Sequence, residues 1–141
     1  MDKALLDTDI LSEVLKGRHP QVVARAEGYL MHHSVLTISV VSVMEVVSGL
    51  QRMARGEQLE RFLQALGAME VLPLDVESAV LAGRIDGDLW RVGQRIGRAD
   101  PIVAAQAIVH GLVLVTGNVR HYARVVEVGY PLRVVNWREE E

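Results

Sequence analysis

Short runs of apolar, often β-branched residues alternate along the chain with longer stretches in which apolar residues recur every three or four positions. This alternation predicts an α/β fold with a central, mainly parallel β-sheet flanked by α-helices. No repeat, linker or low-complexity segment interrupts the pattern. The runs that predict strands are Ala4–Asp7, Val35–Ser39, Met69–Pro73, Leu112–Thr116 and Leu132–Val135.

The longer stretches predict helices, several of which begin or end at a residue type that favours a helix terminus. Gly17 ends the first helix and Asp75 caps a long one. Pro101 stands at the first helical position of another, where its missing N–H has no partner to lose. The predicted helices are Thr8–Lys16, Gln21–Met31, Val41–Met53, Glu57–Leu66, a helix from Asp75 to about Ile96, Asp100–His110 and a single turn at Arg120–Val125.

Composition narrows the class of protein. The 141 residues, half of them hydrophobic, are predicted to form one domain spanning residues 1–141. The absence of Cys excludes thiol catalysis and thiolate metal sites. The N-terminus lacks the pattern of a signal peptide and no apolar run is long enough to cross a bilayer, so we expect a cytoplasmic protein. A formal net charge of −3 is unusual for a nucleic-acid binder unless a divalent cation neutralises an acidic site.

Three acidic residues from separate segments fall where this architecture places chemistry. In an open α/β sheet the ligand binds beyond the carboxyl ends of the strands, at helix N-termini. Asp7 ends the first predicted strand, Asp100 begins a predicted helix, and Thr116 ends another strand. Glu45 stands alone in an apolar segment, so we expect its carboxylate to be at least partly buried and to need a partner.

Each acid also has an ordinary structural explanation. Asp7 and Asp100 stand at predicted helix starts, where aspartate is a favoured N-cap. Glu45 fits equally well as the partner of an arginine elsewhere in the chain. The functional hypothesis is that the three carboxylates meet and bind a divalent cation, because clustered carboxylates repel one another and hard cations prefer oxygen ligands. Such a site can activate water for attack on a phosphodiester.

At these residues the chain resembles the PIN-domain ribonucleases, and specifically the VapC-type toxins of bacterial toxin–antitoxin pairs. Four segments in this order carry the resemblance, which covers nearly the whole chain. The segments are 5–12 (LLDTDILS), 42–50 (SVMEVVSGL), 97–107 (GRADPIVAAQA) and 114–122 (LVTGNVRHY). The chain departs from the family at Asp9, where Asn or Ser is usual, and at Asn118, where many relatives have a fourth acid.

The resemblance implies a PIN-like fold and Mg²⁺- or Mn²⁺-dependent endonucleolytic cleavage of RNA. It assigns metal coordination to Asp7 and Asp100, counts Glu45 as a supporting carboxylate of the metal site, and places the Thr116 hydroxyl beside it. Asn118 would orient water or phosphate through hydrogen bonds without bringing charge. The resemblance also implies a homodimer and a small cognate antitoxin protein that silences the toxin.

Two other functions fit parts of the sequence. A phosphatase of the haloacid-dehalogenase type begins with Asp-x-Asp after an apolar strand, which Asp7 and Asp9 match, but Leu11 stands where that motif has Thr or Val. A domain that binds RNA or a protein without cleaving it is the second alternative, because Asn118 replaces an acid.

Four arginines are spaced so that they fall near one face of the predicted long helix and its continuation. They can guide an RNA backbone toward Asp100, or form a solvated face in which Asp88 pairs with Arg84 or Arg91. The arginines are Arg84, Arg91, Arg95 and Arg98.

Overall fold

The computed structural model describes residues 1–139, and that range forms a five-stranded parallel sheet covered by helices on both faces. The strands are β1 (Ala4–Leu6), β2 (Thr37–Ser39), β3 (Glu70–Leu72), β4 (Val113–Val115) and β5 (Val134–Val135). The helices are α1 (Thr8–Lys16), α2 (Pro20–His33), α3 (Val40–Arg52), α4 (Gly56–Leu66), α5 (Val76–Arg91), α6 (Asp100–Val109) and α7 (Val119–Glu127). The strand order is β3-β2-β1-β4-β5, and every pairing is parallel. The predicted fold class is confirmed.

The central strand β1 packs into two cores, one on each face of the sheet, because successive side chains of a strand point to opposite faces. Leu5 belongs to the core that contains Leu89 of α5 and Leu114 of β4. Leu6 belongs to the opposite core, with Ile38 of β2. All of these side chains are fully buried. Strand β1 is therefore a rigid support for the residue that follows it.

The parallel arrangement brings the residues after β1 and β4 to the same edge of the sheet. Their backbones are held there by the neighbouring strands. The Asp7 N–H donates to the Val115 carbonyl oxygen at 2.9 Å, and the Thr116 N–H donates to the Val135 carbonyl oxygen at 3.0 Å. The ladder thus continues one residue beyond the strands, and it fixes where both side chains leave the sheet.

Helix α5 is shorter than the sequence predicts. It ends at Arg91 rather than near Ile96, because Gly93 adopts a left-handed backbone conformation (φ 69°) that terminates helices. Arg95 and Arg98 therefore lie in the loop before α6, and the prediction of one arginine face is wrong.

Within the described part of the chain, the predicted ion pair between Asp88 and an arginine of the same helix face does not form. The Asp88 carboxylate accepts a hydrogen bond from the Tyr130 hydroxyl. Arg95 pairs with Asp86 at 3.6 Å, and both side chains of that pair are exposed.

The remaining boundaries differ by a few residues. The strands are shorter than the apolar runs that predict them, and the predicted helical turn at Arg120–Val125 belongs to the longer helix α7. The β-branched segment after Ser39 is helical, as predicted. Within residues 1–139, none of the helices combines the length and the apolar character needed to cross a membrane.

Candidate active site

Asp7 is the buried centre of the site, with only 6% of its surface exposed. It is the N-cap of α1, and its Oδ1 accepts from the Thr8 N–H at 2.9 Å. Its Oδ2 accepts from the Thr116 hydroxyl at 2.9 Å and lies 3.2 Å from the Tyr122 hydroxyl. The capping explanation is therefore correct for one oxygen, while the other faces groups from β4 and α7.

The surroundings of Asp7 raise the pKa of its carboxyl from 3.8 to about 6. Burial is the main cause, and the negative charges of Asp9 and Asp100 add to it. Hydrogen bonds from Thr116 and Thr8 act in the opposite direction, because they stabilise the ionised form. The carboxylate of Asp7 is thus one that a nearby cation would stabilise.

Asp100 lies in the first turn of α6, whose N-cap is Ala99, so the prediction that Asp100 itself caps this helix is wrong. Its Oδ2 accepts from the Gly97 N–H at 3.0 Å, and its Oδ1 lies 3.2 Å from the Tyr122 hydroxyl. A side chain at position 97 would place its Cβ 2.6 Å from the Asp100 Oδ2. A larger residue there would displace the carboxylate from its backbone donor, so glycine keeps the Gly97 N–H close to Asp100.

Glu45 is exposed, and the expectation that it is at least partly buried is wrong. Helix α3 buries Val41 and Ser42, and it turns Glu45 outward on the same side as Met44. The Glu45 Oε1 accepts from the Thr8 hydroxyl at 2.6 Å. Glu45 is therefore connected to Asp7 through a single residue, Thr8, rather than placed in direct contact with it.

Thr116 lies at the point where the sequence predicts it, fully buried at the end of β4. Its hydroxyl donates to Asp7 and accepts from the Asn118 N–H at 3.0 Å. Asn118 is exposed at the start of α7, and its side chain does not cap that helix. The Asn118 backbone thus helps to orient Thr116, while its amide side chain stands at the surface.

Asp9 belongs to a second group of charges beside Asp7. Its Oδ2 accepts from the Gly117 N–H at 2.9 Å and pairs with the Arg138 guanidinium at 3.5 Å. Arg138 also reaches Glu13 at 4.0 Å. A Cβ at position 117 would meet the Arg138 guanidinium and the Asp9 Oδ2, the latter at 2.5 Å, so a larger residue there would displace both side chains.

Sequence reasoning missed two members of the site, Tyr122 and Arg138. Tyr122 is fully buried on α7, and its hydroxyl lies beside both Asp7 and Asp100. The only local signal for it is a phenol within the apolar face of a helix. No local signal exists for Arg138, because its partners Asp9 and Glu13 lie at the other end of the chain.

Two carboxylates of the site, those of Asp7 and Asp100, are placed so that they could hold a divalent cation. Asp7 and Asp100 both present oxygens to the same hydroxyl, and hard cations are commonly held by one or two carboxylates together with substrate phosphate. Within residues 1–139, no three His, Asp or Glu side chains converge closely enough to form a metal-binding group by themselves. Glu45 therefore stands apart from the pair.

We expect the stability of the chain without divalent cations to depend on pH through Asp7. Its raised pKa means that the folded state binds more protons than the unfolded state between pH 3.8 and about 6. The proton that folded Asp7 retains adds to the free energy of unfolding. This contribution is complete at low pH and is lost as the pH rises through about 6. Asp7→Asn should therefore stabilise the chain at neutral pH, by up to about 3 kcal/mol, and should confer no such advantage near pH 4.

Urea unfolding in EDTA across this pH range measures the difference. Asp75→Asn is a control whose effect on stability should have the opposite sign. The Ser78 N–H holds the pKa of the Asp75 carboxyl below its usual value, so the ionised carboxylate stabilises the fold. That substitution should lower stability at neutral pH. A difference between Asp7→Asn and the wild type that stays constant with pH would contradict the prediction.

Comparison with known proteins assigns the chain that carries this site to a family. The PIN-domain profile matches residues 4–127. The tRNA(fMet)-specific endonuclease VapC of Salmonella typhimurium is 29% identical, and Ribonuclease VapC2 of Haemophilus influenzae is 30% identical; each alignment covers 97% of this chain and 99% of the relative.

Solved structures agree with the sequence comparison. The DNA-bound VapBC of Salmonella typhimurium has a chain with a TM-score of 0.81 and 29% identity, covering 97% of this chain and 99% of that one. A toxin–antitoxin complex from Klebsiella pneumoniae has a chain with a TM-score of 0.72 and 26% identity, covering 98% of this chain and all of that one. The chain belongs to the PIN-domain family and, within it, to the VapC ribonucleases.

Proposed function

We propose that this chain is a metal-dependent endoribonuclease, the toxin component of a type II toxin–antitoxin pair, that hydrolyses RNA phosphodiester bonds in the cytoplasm. The observation that carries the proposal is the meeting of Asp7 and Asp100 at the Tyr122 hydroxyl, at the carboxyl edge of the sheet. The ribonuclease names of the relatives and the toxin–antitoxin complexes among the structural neighbours support it.

We assign Mg²⁺ or Mn²⁺ to this site, held by Asp7 and Asp100 with Glu45 as a nearby supporting carboxylate. When bound, such a cation stabilises the negative charge that develops as a phosphodiester is hydrolysed. Oxygen ligands suit both ions, and the absence of Cys removes the thiolate ligands that would favour softer metals.

The other residues of the site prepare it for a polyanionic substrate. The Thr116 hydroxyl keeps the Asp7 Oδ2 oriented, and the exposed Glu45 can orient a water molecule by accepting its hydrogen bond. The amide of Asn118 can donate to a phosphate or a water without adding charge. Arg138 partly neutralises Asp9 and therefore reduces the repulsion that an RNA phosphate meets at this edge.

The family assignment argues against the haloacid-dehalogenase alternative, because the Asp-x-Asp of the chain falls within the PIN-domain match. In the structure, Asp9 is occupied by the Gly117 N–H and by Arg138. A PIN-like domain that binds RNA or a protein without cleaving RNA is the remaining alternative, and a cleavage experiment separates it from the nuclease.

A groove between α1, α3 and α4 offers a surface for the proposed antitoxin. It has a volume of about 510 Å³ and an apolar floor that includes Val46, Leu50 and Phe62. Its lining also contains four basic residues, Lys16, Arg18, Arg55 and Arg61. This combination fits an amphipathic segment that carries acidic side chains beside its apolar face.

We infer that exposed apolar side chains near the starts of α3 and α5 form the proposed homodimer interface. The two helices pack on opposite faces of the sheet, and both begin at its carboxyl edge. Val40 and Met44 of α3 are 40% and 65% exposed, and Val76 and Val80 of α5 are 80% and 52% exposed. These helices follow the neighbouring strands β2 and β3, and apolar side chains left in water at this level are typical of interfaces.

We expect Asp7→Asn and Asp100→Asn each to reduce cleavage of a mixed RNA pool by at least about a hundredfold, because each removes a charged ligand of the cation that stabilises the reacting phosphate. Wild-type cleavage should require Mg²⁺ or Mn²⁺ and stop in EDTA. Asp88→Asn is the matched control, since Asp88 also accepts a tyrosine hydroxyl but from Tyr130. RNA binding by the wild type without cleavage, with either ion present, would favour the non-cleaving alternative.

We expect Arg61→Glu to weaken the complex with the antitoxin at least about tenfold, because it reverses a charge beside the groove. The partner to coexpress is a small protein from a short open reading frame beside the gene for this chain, to be identified first from the genome sequence. Arg133→Glu is the control, because Arg133 pairs with Asp2 and does not line the groove. Equal affinity of both variants would place the antitoxin elsewhere.

We expect the isolated chain to have twice the 15.6 kDa mass of one copy when measured by light scattering. Met44→Glu with Val80→Glu should shift it to the mass of one copy, because each change introduces a charge into the proposed apolar interface. A wild type that scatters as a single chain at micromolar concentration would contradict the homodimer.

A further inference from the structure

Tyr122 contacts both acids of the site, Asp7 and Asp100, from the buried side. Its ring is fully buried in the core that contains Leu5, Leu114 and Val125. Its hydroxyl lies 3.2 Å from the Asp7 Oδ2 and 3.2 Å from the Asp100 Oδ1. One hydroxyl on α7 therefore touches carboxylates that come from the start of α1 and the start of α6.

A single phenol proton has to serve both carboxylates. A phenol is neutral at physiological pH, so the Tyr122 hydroxyl acts toward the two carboxylates as a donor. A neutral hydroxyl donates one proton, and the two oxygens compete for it at equal distance. The hydroxyl is thus a hydrogen-bond partner shared by both carboxylates, and it keeps their two oxygens near one another.

Asp7 and Asp100 depend on this hydroxyl to different degrees. Asp7 is buried and has further donors in Thr116 and Thr8. Asp100 is half-buried, and besides Tyr122 the hydrogen bond that holds its carboxylate comes from the Gly97 N–H. Without the phenol proton, repulsion between the two charges would act mainly on Asp100, the acid with more freedom to turn toward solvent.

We propose that Tyr122 is a positioning residue for the divalent-cation site, and that its hydroxyl, apart from its ring, holds the Asp100 carboxylate toward Asp7. The inference rests on the proposed function, because it assumes that these two acids bind the cation. The hydroxyl acts on the cation through the ligands, as hydrogen-bond partners of metal-binding carboxylates do.

The ring and the hydroxyl of Tyr122 can be separated by experiment. Tyr122→Phe keeps the ring in the core and removes only the hydroxyl. Titration calorimetry with Mn²⁺ alone, without RNA, measures the affinity of the site directly. We expect Tyr122→Phe to raise the Kd for Mn²⁺ by about tenfold or more, the range seen when such hydrogen bonds are removed. Tyr130→Phe, which removes the equivalent bond to Asp88, should leave it unchanged.

A second pair of variants identifies the acid through which Tyr122 acts. In a chain that carries Asp100→Asn, adding Tyr122→Phe should change the Mn²⁺ affinity less than it does in the wild type, because the two effects share one contact. If Tyr122→Phe does not fold, Asp100→Asn should restore folding by removing the repulsion. Failure of the double variant to fold would assign the hydroxyl to the core and overturn the proposal.

The outcomes separate this inference from the proposed function. Tight Mn²⁺ binding by both the wild type and Tyr122→Phe overturns the role of Tyr122 and leaves the ribonuclease proposal standing. A wild type that binds no Mn²⁺ and cleaves no RNA overturns both. Weakened Mn²⁺ binding by Tyr122→Phe, with an unchanged circular dichroism spectrum and an unaffected Tyr130→Phe, supports the positioning role.

Discussion

The Asp7 carboxylate stands at the end of the central strand, almost completely shielded from water, and the rest of the site is arranged around it. Burial disfavours its charge, and Asp9 and Asp100 disfavour it further. Hydrogen bonds from Thr116 and Thr8 reduce this penalty without removing it, because the pKa remains raised. The fold thus holds a carboxylate whose charge costs stability at neutral pH and would be stabilised by an added positive charge.

This arrangement explains why so many short-range anchors surround the site. The Gly97 N–H binds Asp100, the Gly117 N–H binds Asp9, and both glycines stand where a Cβ would strike the carboxylate. Backbone donors suit this task because they cannot swing away. Acids that repel one another are thereby kept at one edge of the sheet, a local loss of stability that functional sites commonly accept.

The C-terminal segment contributes the opposite charge. Trp137 is buried and packs near Tyr29 of α2, with ring centroids 5.8 Å apart. This contact ties the end of the described chain to the core that contains Leu6 and Ile38, and it brings the neighbouring Arg138 to Asp9 and Glu13. Packing far from the reacting groups therefore determines the electrostatic balance that a phosphate meets.

The sequence by itself determined the succession of strands and helices along the chain, the mainly parallel sheet, and the edge at which Asp7 and Thr116 emerge. These features follow from local periodicity and from the rule that parallel strands end at one edge. The sequence also predicts that Asp100 lies at the start of α6, although the N-cap of that helix is Ala99. The PIN-like motifs added the family, which the comparisons confirm.

Only the tertiary structure decided the exposure of Glu45, the end of α5, and the contacts of Tyr122 and Arg138. Whether an acid in an apolar helix faces the core depends on how that helix is rotated against the sheet, and the composition around Glu45 does not specify the rotation. Tyr122 and Arg138 act on residues remote in the chain. Such contacts depend on the packing of whole elements, so no local pattern of residue types could have predicted them.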